Sequence, residues 1–247
     1  MTKTQKIGTA QMLACSLLWS MAGIQAQRTY VLSVGVAHYQ DNSHDLRNPD
    51  NDAIRVKELF AQHSKDVTVM TSSYATHNGI LDKLRQICTQ SKPEDRIIFF
   101  FSGHGFRGGL VAYDTFIHYD ELIKELKKAK AGTKVCLFDA CLSGSVTTQD
   151  DGRPQWSGLS GDTTMVFFLS SRGDEYSIES PLLGAGLFTN SMLKALRGMS
   201  DVNGDKSITV EELFRYIYGD VVLHSKEIQH PQLIATKRMR ESVILKW

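Results

Sequence analysis

Arg96-Ile97-Ile98-Phe99-Phe100-Phe101-Ser102-Gly103-His104-Gly105 is the stretch on which the reading of the fold turns. Its continuous apolar run from Ile97 to Phe101 has the length of a strand and no polar alternation. A strand of that kind is covered on both faces, as strands of parallel sheets are. Working outward, Tyr30-Val31-Leu32-Ser33-Val34-Gly35-Val36, Val67-Thr68-Val69-Met70, Val135-Cys136-Leu137-Phe138 and Met165-Val166-Phe167-Phe168-Leu169 read as further strands. A last extended piece lies around Val243-Ile244-Leu245. Helical patterns fall between them: from near Asn51 (Ala53, Ile54, Leu59, Phe60), from Gly79 to Cys88, from Tyr119 to Lys130, near Phe188–Arg197, and over Thr209–Leu223. Strand–helix alternation implies right-handed crossovers and an α/β fold. The expected architecture is a mostly parallel central sheet of about six strands with helices on both faces. No Pro/Gly/Ser-rich linker divides the chain, so residues 27–247 read as one domain.

Composition excludes more than it names. The 247 residues are 42% hydrophobic, 9% aromatic and 22% charged, the profile of a folded globular chain. Lys and Arg total 28 against 27 Asp and Glu, a formal net charge of +1 with no basic block, which gives a nucleic-acid partner no footprint. Four cysteines are too few for a disulfide scaffold, and no CxxC pair or metal-spaced His/Cys cluster points to zinc.

Residues 1–26 differ from the rest. Lys3 and Lys6 precede an apolar stretch from Ile7 to Ile24, which ends in Ile24-Gln25-Ala26 with a small residue last. That is the layout of a cleaved secretory signal peptide. Thr9, Gln11, Ser16 and Ser20 interrupt the stretch and make it weak as a membrane span. The expectation is a secreted, periplasmic or cell-surface protein without a stable span after signal removal. Cleavage after Ala26 leaves 26 basic and 27 acidic residues, a net charge of −1, and the thiols Cys88, Cys136 and Cys141.

Sites in open α/β sheets form at the carboxyl ends of strands. Two such ends carry chemistry: Ser102-Gly103-His104-Gly105, and Asp139-Ala140-Cys141-Leu142-Ser143-Gly144. A thiolate is a strong nucleophile and an imidazole moves protons near neutral pH, so a Cys–His pair delivered by neighbouring strands is a candidate dyad. The backbone N–H groups of Gly105 and Cys141 would suit an oxyanion hole. A serine hydrolase is disfavoured because no GxSxG elbow occurs.

At these residues the sequence resembles the caspase-like cysteine peptidases, in particular their metacaspase and bacterial caspase-domain branch. The likeness extends to Val34-Gly35-Val36-Ala37-His38-Tyr39, Leu46 and Asn51-Asp52-Ala53, and to Leu169-Ser170-Ser171-Arg172-Gly173-Asp174-Glu175 with Gly186-Leu187-Phe188-Thr189. The resemblance implies His104 as general acid/base, Cys141 as nucleophile, a thioester acyl-enzyme, and oxyanion donors at Gly105 and Cys141. Leu142 stands where the commoner metacaspase pattern has histidine, a departure that bears on packing more than on the dyad.

Animal caspases have Gln two residues before the nucleophile; here that residue is Asp139. In the metacaspase branch this acid, the acid of the Asn-Asp-Ala motif and the serine of the histidine motif line the primary pocket, which here are Asp139, Asp52 and Ser102. Two carboxylates facing one pocket attract Lys or Arg and repel an acid. The implied substrate is a protein or peptide with a basic residue at the cut. Asp52 would equally serve as a helix-start acid and Asp139 as a turn-forming carboxylate. Between Cys141 and Arg172 the only basic residue is Arg153, followed by Pro154, so a basic-specific enzyme would have little to cut in its own linker and work as one chain.

Asp201-Val202-Asn203-Gly204-Asp205-Lys206-Ser207-Ile208-Thr209-Val210-Glu211-Glu212 matches a calcium-loop pattern at positions 1, 3, 5 and 12. Asp201, Asn203, Asp205, Ser207 and Glu212 are the candidate ligands, and Lys206 replaces the glycine of position 6. The dyad requires no cofactor; calcium is the one ion for which the sequence offers ligands. The competing functional readings are a non-catalytic caspase-like binding module and a calcium-responsive interaction domain.

Overall fold

The computed structural model describes residues 27–141, 162–172, 179–180 and 185–247. The signal segment, Leu142, Arg153 and residues 173–175 lie outside the described residues. In chain order the strands are β1 (Thr29–Gly35), β2 (Val67–Thr71), β3 (Arg96–Gly103), β4 (Gly105–Phe106), β5 (Gly109–Val111), β6 (Phe116–His118), β7 (Thr133–Ala140), β8 (Met165–Leu169), β9 (Glu179–Ser180), β10 (Ala185–Gly186), β11 (Ser207–Thr209), β12 (Gln232–Ile234) and β13 (Val243–Lys246). The helices are α1 (Pro49–Phe60), α2 (His77–Gln90), α3 (Tyr119–Lys127), α4 (Leu187–Lys194), α5 (Val210–His224) and α6 (Lys237–Arg240).

The apolar run that opened the reading becomes β3, at the middle of a six-stranded sheet of order β12-β8-β7-β3-β1-β2. Every pairing in it is parallel except β12 with β8. Phe99, Phe100 and Phe101 are all fully buried, and they alternate between two cores. Phe99 and Phe101 join Leu84 of α2 and Leu122 of α3 on one face. Phe100 joins Val56 of α1, Phe188 of α4 and Leu213 of α5 on the other. Full burial of a Phe side chain stabilises by about 1.5–3 kcal/mol, so this strand anchors both layers.

Chain order reverses at β1: β2 lies on one side of it and β3 on the other. The carboxyl ends of β1, β3 and β7 therefore border the crevice where such sheets bind ligands. Register is tight, with Gly35 opposite Ser102, Ser102 opposite Asp139, and Gly103 opposite Ala140.

Several boundaries depart from expectation. Helix α1 starts at Pro49, whose fixed φ suits the first helical position. Helix α4 ends at Lys194 and passes into a π turn over Ala195–Met199, closed by Gly198 at φ 107°. The sixth strand is β12, while Val243–Lys246 pairs with β11 outside the main sheet. Among the described residues no helix is long and apolar enough to cross a membrane.

Candidate active site

Because Gly103 and Ala140 face each other on adjacent parallel strands, the next residues, His104 and Cys141, leave the sheet side by side. A Cβ built on Gly105 would lie 2.3 Å from the Cys141 carbonyl oxygen, so only glycine permits this approach of the two strand ends. The Val111 N–H donates to the His104 carbonyl (3.0 Å), which makes Gly105 and Leu110 a non-hydrogen-bonded pair. The Gly105 N–H consequently points away from β5. Cys141 is partly exposed.

The imidazole of His104 is held on two sides. Its Nε2 lies 2.8 Å from the His44 carbonyl oxygen. A carbonyl only accepts, so Nε2 carries the hydrogen and Nδ1 keeps the lone pair that can take a proton. The His104 backbone N–H donates to the Tyr39 hydroxyl (2.8 Å), and the two rings are 5.1 Å apart. Burial raises the Tyr39 phenol above its ordinary range, so it stays neutral.

The loop that delivers Tyr39 and His44 is clamped by acids. Asp45 accepts from the Tyr39 N–H (2.9 Å) and pairs with His38 Nδ1 (2.8 Å). Asp50 accepts from the Ala37 N–H (3.0 Å) and from the Ser72 hydroxyl (2.5 Å). Hydrogen bonding to each other raises His38 and lowers Asp45.

On the other face of the sheet, Asp52, Ser102 and Asp139 lie together. Ser102 Oγ donates to Asp52 Oδ2 (3.0 Å), which also accepts from the Gly186 N–H (3.2 Å). Asp139 Oδ2 accepts from the Thr189 N–H (3.1 Å) and hydroxyl (2.7 Å) at the start of α4. A Cβ on Gly186 would lie 2.2 Å from Asp139 Oδ2, so this glycine lets the helix seat on the acid. Asp52 is 1% exposed and its Oδ1 has no hydrogen-bond partner among the described residues. Burial, then the Asp139 charge, pushes the Asp52 carboxyl up to about 8. Asp52 thus lies in the first turn of α1 but serves the acid cluster rather than merely the helix dipole. Arg55, one turn along, reaches Asn190 Oδ1 at 3.4 Å and tempers the Asp52 shift.

Other thiols are unsuited to attack. Cys88 and Cys136 are buried, and burial raises both, Cys88 to about 11. Ala140, the residue before Cys141, is fixed from the segment that follows β8: its N–H donates to Ser170 Oγ (3.2 Å), and Gln229 Nε2 donates to the Ser170 carbonyl (2.8 Å).

The acidic loop spends its oxygens on its own turn. Asp201 accepts from the N–H groups of Gly204, Asp205 and Lys206, and Asp205 accepts from Ser207. Asn203 accepts from the Asp205 N–H (2.9 Å). Lys206 takes the left-handed conformation, φ 63°, that glycine would otherwise supply. Glu212 Oε2 accepts from the Thr209 N–H (2.9 Å) and hydroxyl (2.8 Å), a capping box that starts α5. Among the described residues no group of three or more His, Cys, Asp or Glu is placed to hold a metal.

Sequence reasoning assigned no role to Tyr39, the His44 carbonyl, Gly186, Thr189 or Gln229. A backbone carbonyl leaves no trace in residue identity, and the others act through tertiary hydrogen bonds and close approaches between segments distant in sequence.

A parallel sheet that presents a histidine and a cysteine from adjacent strands, with buried acids beside them, defines a caspase-like α/β protein. The Caspase domain profile, Peptidase C14, matches residues 28–241, and the chain belongs to that family. It is 28% identical over 152 residues to metacaspase-1 of Lodderomyces elongisporus, covering 48% of this chain and 34% of that one. To metacaspase-1 of Schizosaccharomyces pombe it is 25% identical over 142 residues, covering 46% and 33%. The matched stretch thus spans about a third of the length of these relatives. In fold it is similar to protein GSU0716 of Geobacter sulfurreducens (TM-score 0.64, 15% identity, 87% of this chain and 97% of that one). It is similar also to caspase-1 of Spodoptera frugiperda (TM-score 0.65, 16% identity, 88% of each chain).

Proposed function

We propose that this protein is a cysteine endopeptidase that hydrolyses peptide bonds after Arg or Lys. His104 Nδ1 takes the Cys141 proton, and the thiolate attacks the scissile carbonyl carbon. The oxyanion is met by the N–H groups of Gly105 and Cys141. Collapse breaks the C–N bond, the imidazolium returns its proton to the leaving amine, and a thioester remains. Water activated by the same imidazole then releases the acid and restores the thiol.

One observation carries the substrate preference: Asp52, buried beside Asp139, keeps a carboxylate oxygen with no hydrogen-bond partner among the described residues. A guanidinium or ammonium entering there supplies the missing donor and a positive charge that favours the ionised form of Asp52 beside Asp139, whereas an acidic side chain would add negative charge where Asp52 already holds its proton. The reaction uses no resident cofactor. Residues 1–26 act as an export signal, so the N-terminus of the purified mature protein begins at Gln27. Calcium bound by Asp201, Asn203, Asp205, Ser207 and Glu212 would replace the internal bonds of that loop, which titration calorimetry detects directly.

The test is a panel of fluorogenic peptides with Arg, Lys or Asp at the cleaved position, run on wild type and on Cys141→Ala, with and without calcium. Turnover of the Arg and Lys substrates by wild type alone is the expected result. Turnover of the Asp substrate alone would overturn the pocket assignment, and no turnover by wild type would favour a binding module. Two fragments in purified wild type that are absent from Cys141→Ala would refute single-chain action.

A further inference from the structure

A cavity opens beside the Tyr39–His44 loop, on the face of the sheet opposite the acid cluster. It has a volume of about 320 Å³, and its walls include Tyr39, Asp41, His44, Tyr113, Asp114 and Phe116. Tyr39 and Ala112 belong to the core face that holds α2 and α3, with Val111 and Tyr113 packed against it. Asp52 and Asp139 lie under the opposite face, against α1 and α4, where Ala53 and Phe188 are buried. The dyad stands between the two, at the carboxyl edge of the sheet. His104 lies one residue layer behind this cavity, against two of its walls: the Tyr39 ring is 5.1 Å from the His104 ring, and the His44 ring meets it edge-on at 6.3 Å.

That placement fixes which part of a substrate can reach it. The side chain before the cut enters the acid pocket, and His104 must hand its proton to the nitrogen of the leaving half. Residues after the cut therefore run past His104 toward Tyr39 and His44. The lining states what they should be. Asp41 and Asp114 supply carboxylates, and Tyr39, Tyr113 and Phe116 supply aromatic surface, with Phe116 55% exposed. Among the described residues, no lysine or arginine lines it. Both acids are held by backbone donors, Asp41 by the Ser43 N–H (3.0 Å) and Asp114 by the His77 N–H (2.7 Å). Aromatic faces beside fixed carboxylates bind a cationic side chain. The volume lies at the low end of ligand-pocket size, fitting for a side chain.

We propose that this cavity is a leaving-side subsite that takes an Arg or Lys one to three residues after the cut, so that the enzyme prefers sequences with basic residues on both sides of the bond. The proposal rests on the peptidase reading above. The test uses the full chain and internally quenched peptides with Arg fixed at the cut and Arg, Ala or Glu placed at each of the next three positions. An Arg-coumarin substrate that lacks any leaving-side residue runs alongside on wild type. Asp41→Asn with Asp114→Asn keeps both acceptor oxygens and removes both charges, and Phe116→Ala removes the exposed ring. The reading is the ratio of kcat/KM for the Arg and Glu peptides, taken within each protein so that any loss of folded enzyme cancels.

Wild type is expected to favour Arg over Glu by about tenfold at one of the three positions, through KM. The double variant should bring that ratio to within about twofold, and Phe116→Ala should lower it partway. Coumarin turnover with no preference on the leaving side, or a preference that survives the double variant, overturns this subsite while leaving the peptidase reading intact. No turnover of either substrate class overturns both.

Discussion

Replacing Asp52 by Asn should stabilise the protein while weakening its grip on basic substrates, and the effect should grow with pH. In the folded chain the Asp52 carboxyl titrates at about 8 against an ordinary 3.8. Between those values the native state holds a proton that the unfolded chain has released. Stability attached to this group is therefore fully present below the unfolded value and is lost as pH rises toward the folded one. Each pH unit in that window lowers the unfolding free energy of wild type by about 1.4 kcal/mol, or roughly 3 kcal/mol from pH 5 to pH 7. Asp52→Asn keeps an oxygen for the Gly186 N–H and has no proton to lose, so its curve lacks this slope. Titrating groups remote from Asp52 are common to both proteins and cancel in the difference, and Asp139, the one coupled to it, is relieved of a neighbouring carboxyl in the variant. Urea unfolding followed by circular dichroism at pH 5, 6 and 7 measures the gap. Curves that stay parallel across the interval would refute the reasoning. On the same variant, kcat/KM for an Arg peptide should fall about 10- to 100-fold, the loss of one charge-assisted bond.

Tyr39→Phe removes the acceptor of the His104 N–H and should cost about 1–3 kcal/mol, read as a lower kcat with KM held; an unchanged kcat would show that the His44 carbonyl alone positions the ring. Gly186→Ala sets a methyl against Asp139 and should cost about 1–3 kcal/mol in thermal unfolding while raising KM for basic peptides; wild-type KM would show that α4 does not seat the acid. Nuclear magnetic resonance should place the His38 titration above its ordinary 6.5, and Asp45→Asn should return it there, since the partner carboxylate is the largest cause of the rise. The same pair weakens on acidification as Asp45 protonates, and a His38 titration that is the same in both proteins would break the link.

Much of the fold was legible because its signals are long and buried. The run from Ile97 to Phe101 and the five-residue Met165–Leu169 have no polar alternation to confuse them with solvated strands. The neighbourhood of His104 and Cys141 was legible because each follows such a run, and strand register brings the two strand ends together. The sixth strand was not: Gln232–Ile234 is three residues long and lies at the sheet edge, too short for any period. The small sheet of β4, β5 and β6 escaped for the same reason, although it forms a wall of the leaving-side cavity. The end of α4 was misplaced because apolar spacing carries through Leu196, whereas a π turn changes the hydrogen-bond step without changing residue type. Asp52 and Asp139 could be singled out, yet their partners at Gly186 and Thr189 belong to the strand–helix turn that only the folded chain sets against them.

The group that fixes the tautomer of His104 is a main-chain oxygen at residue 44. No side-chain replacement there can delete it, so an alanine scan would pass over one of the atoms on which the proposed chemistry depends. Its position is set instead by the hydrogen bonds of the segment around it, through Asp45, Asp50 and Ser72. Turnover is then a gauge of whether that segment is closed. Warmed gradually, the enzyme should fall silent when this one loop frays, while the sheet that carries it is still whole.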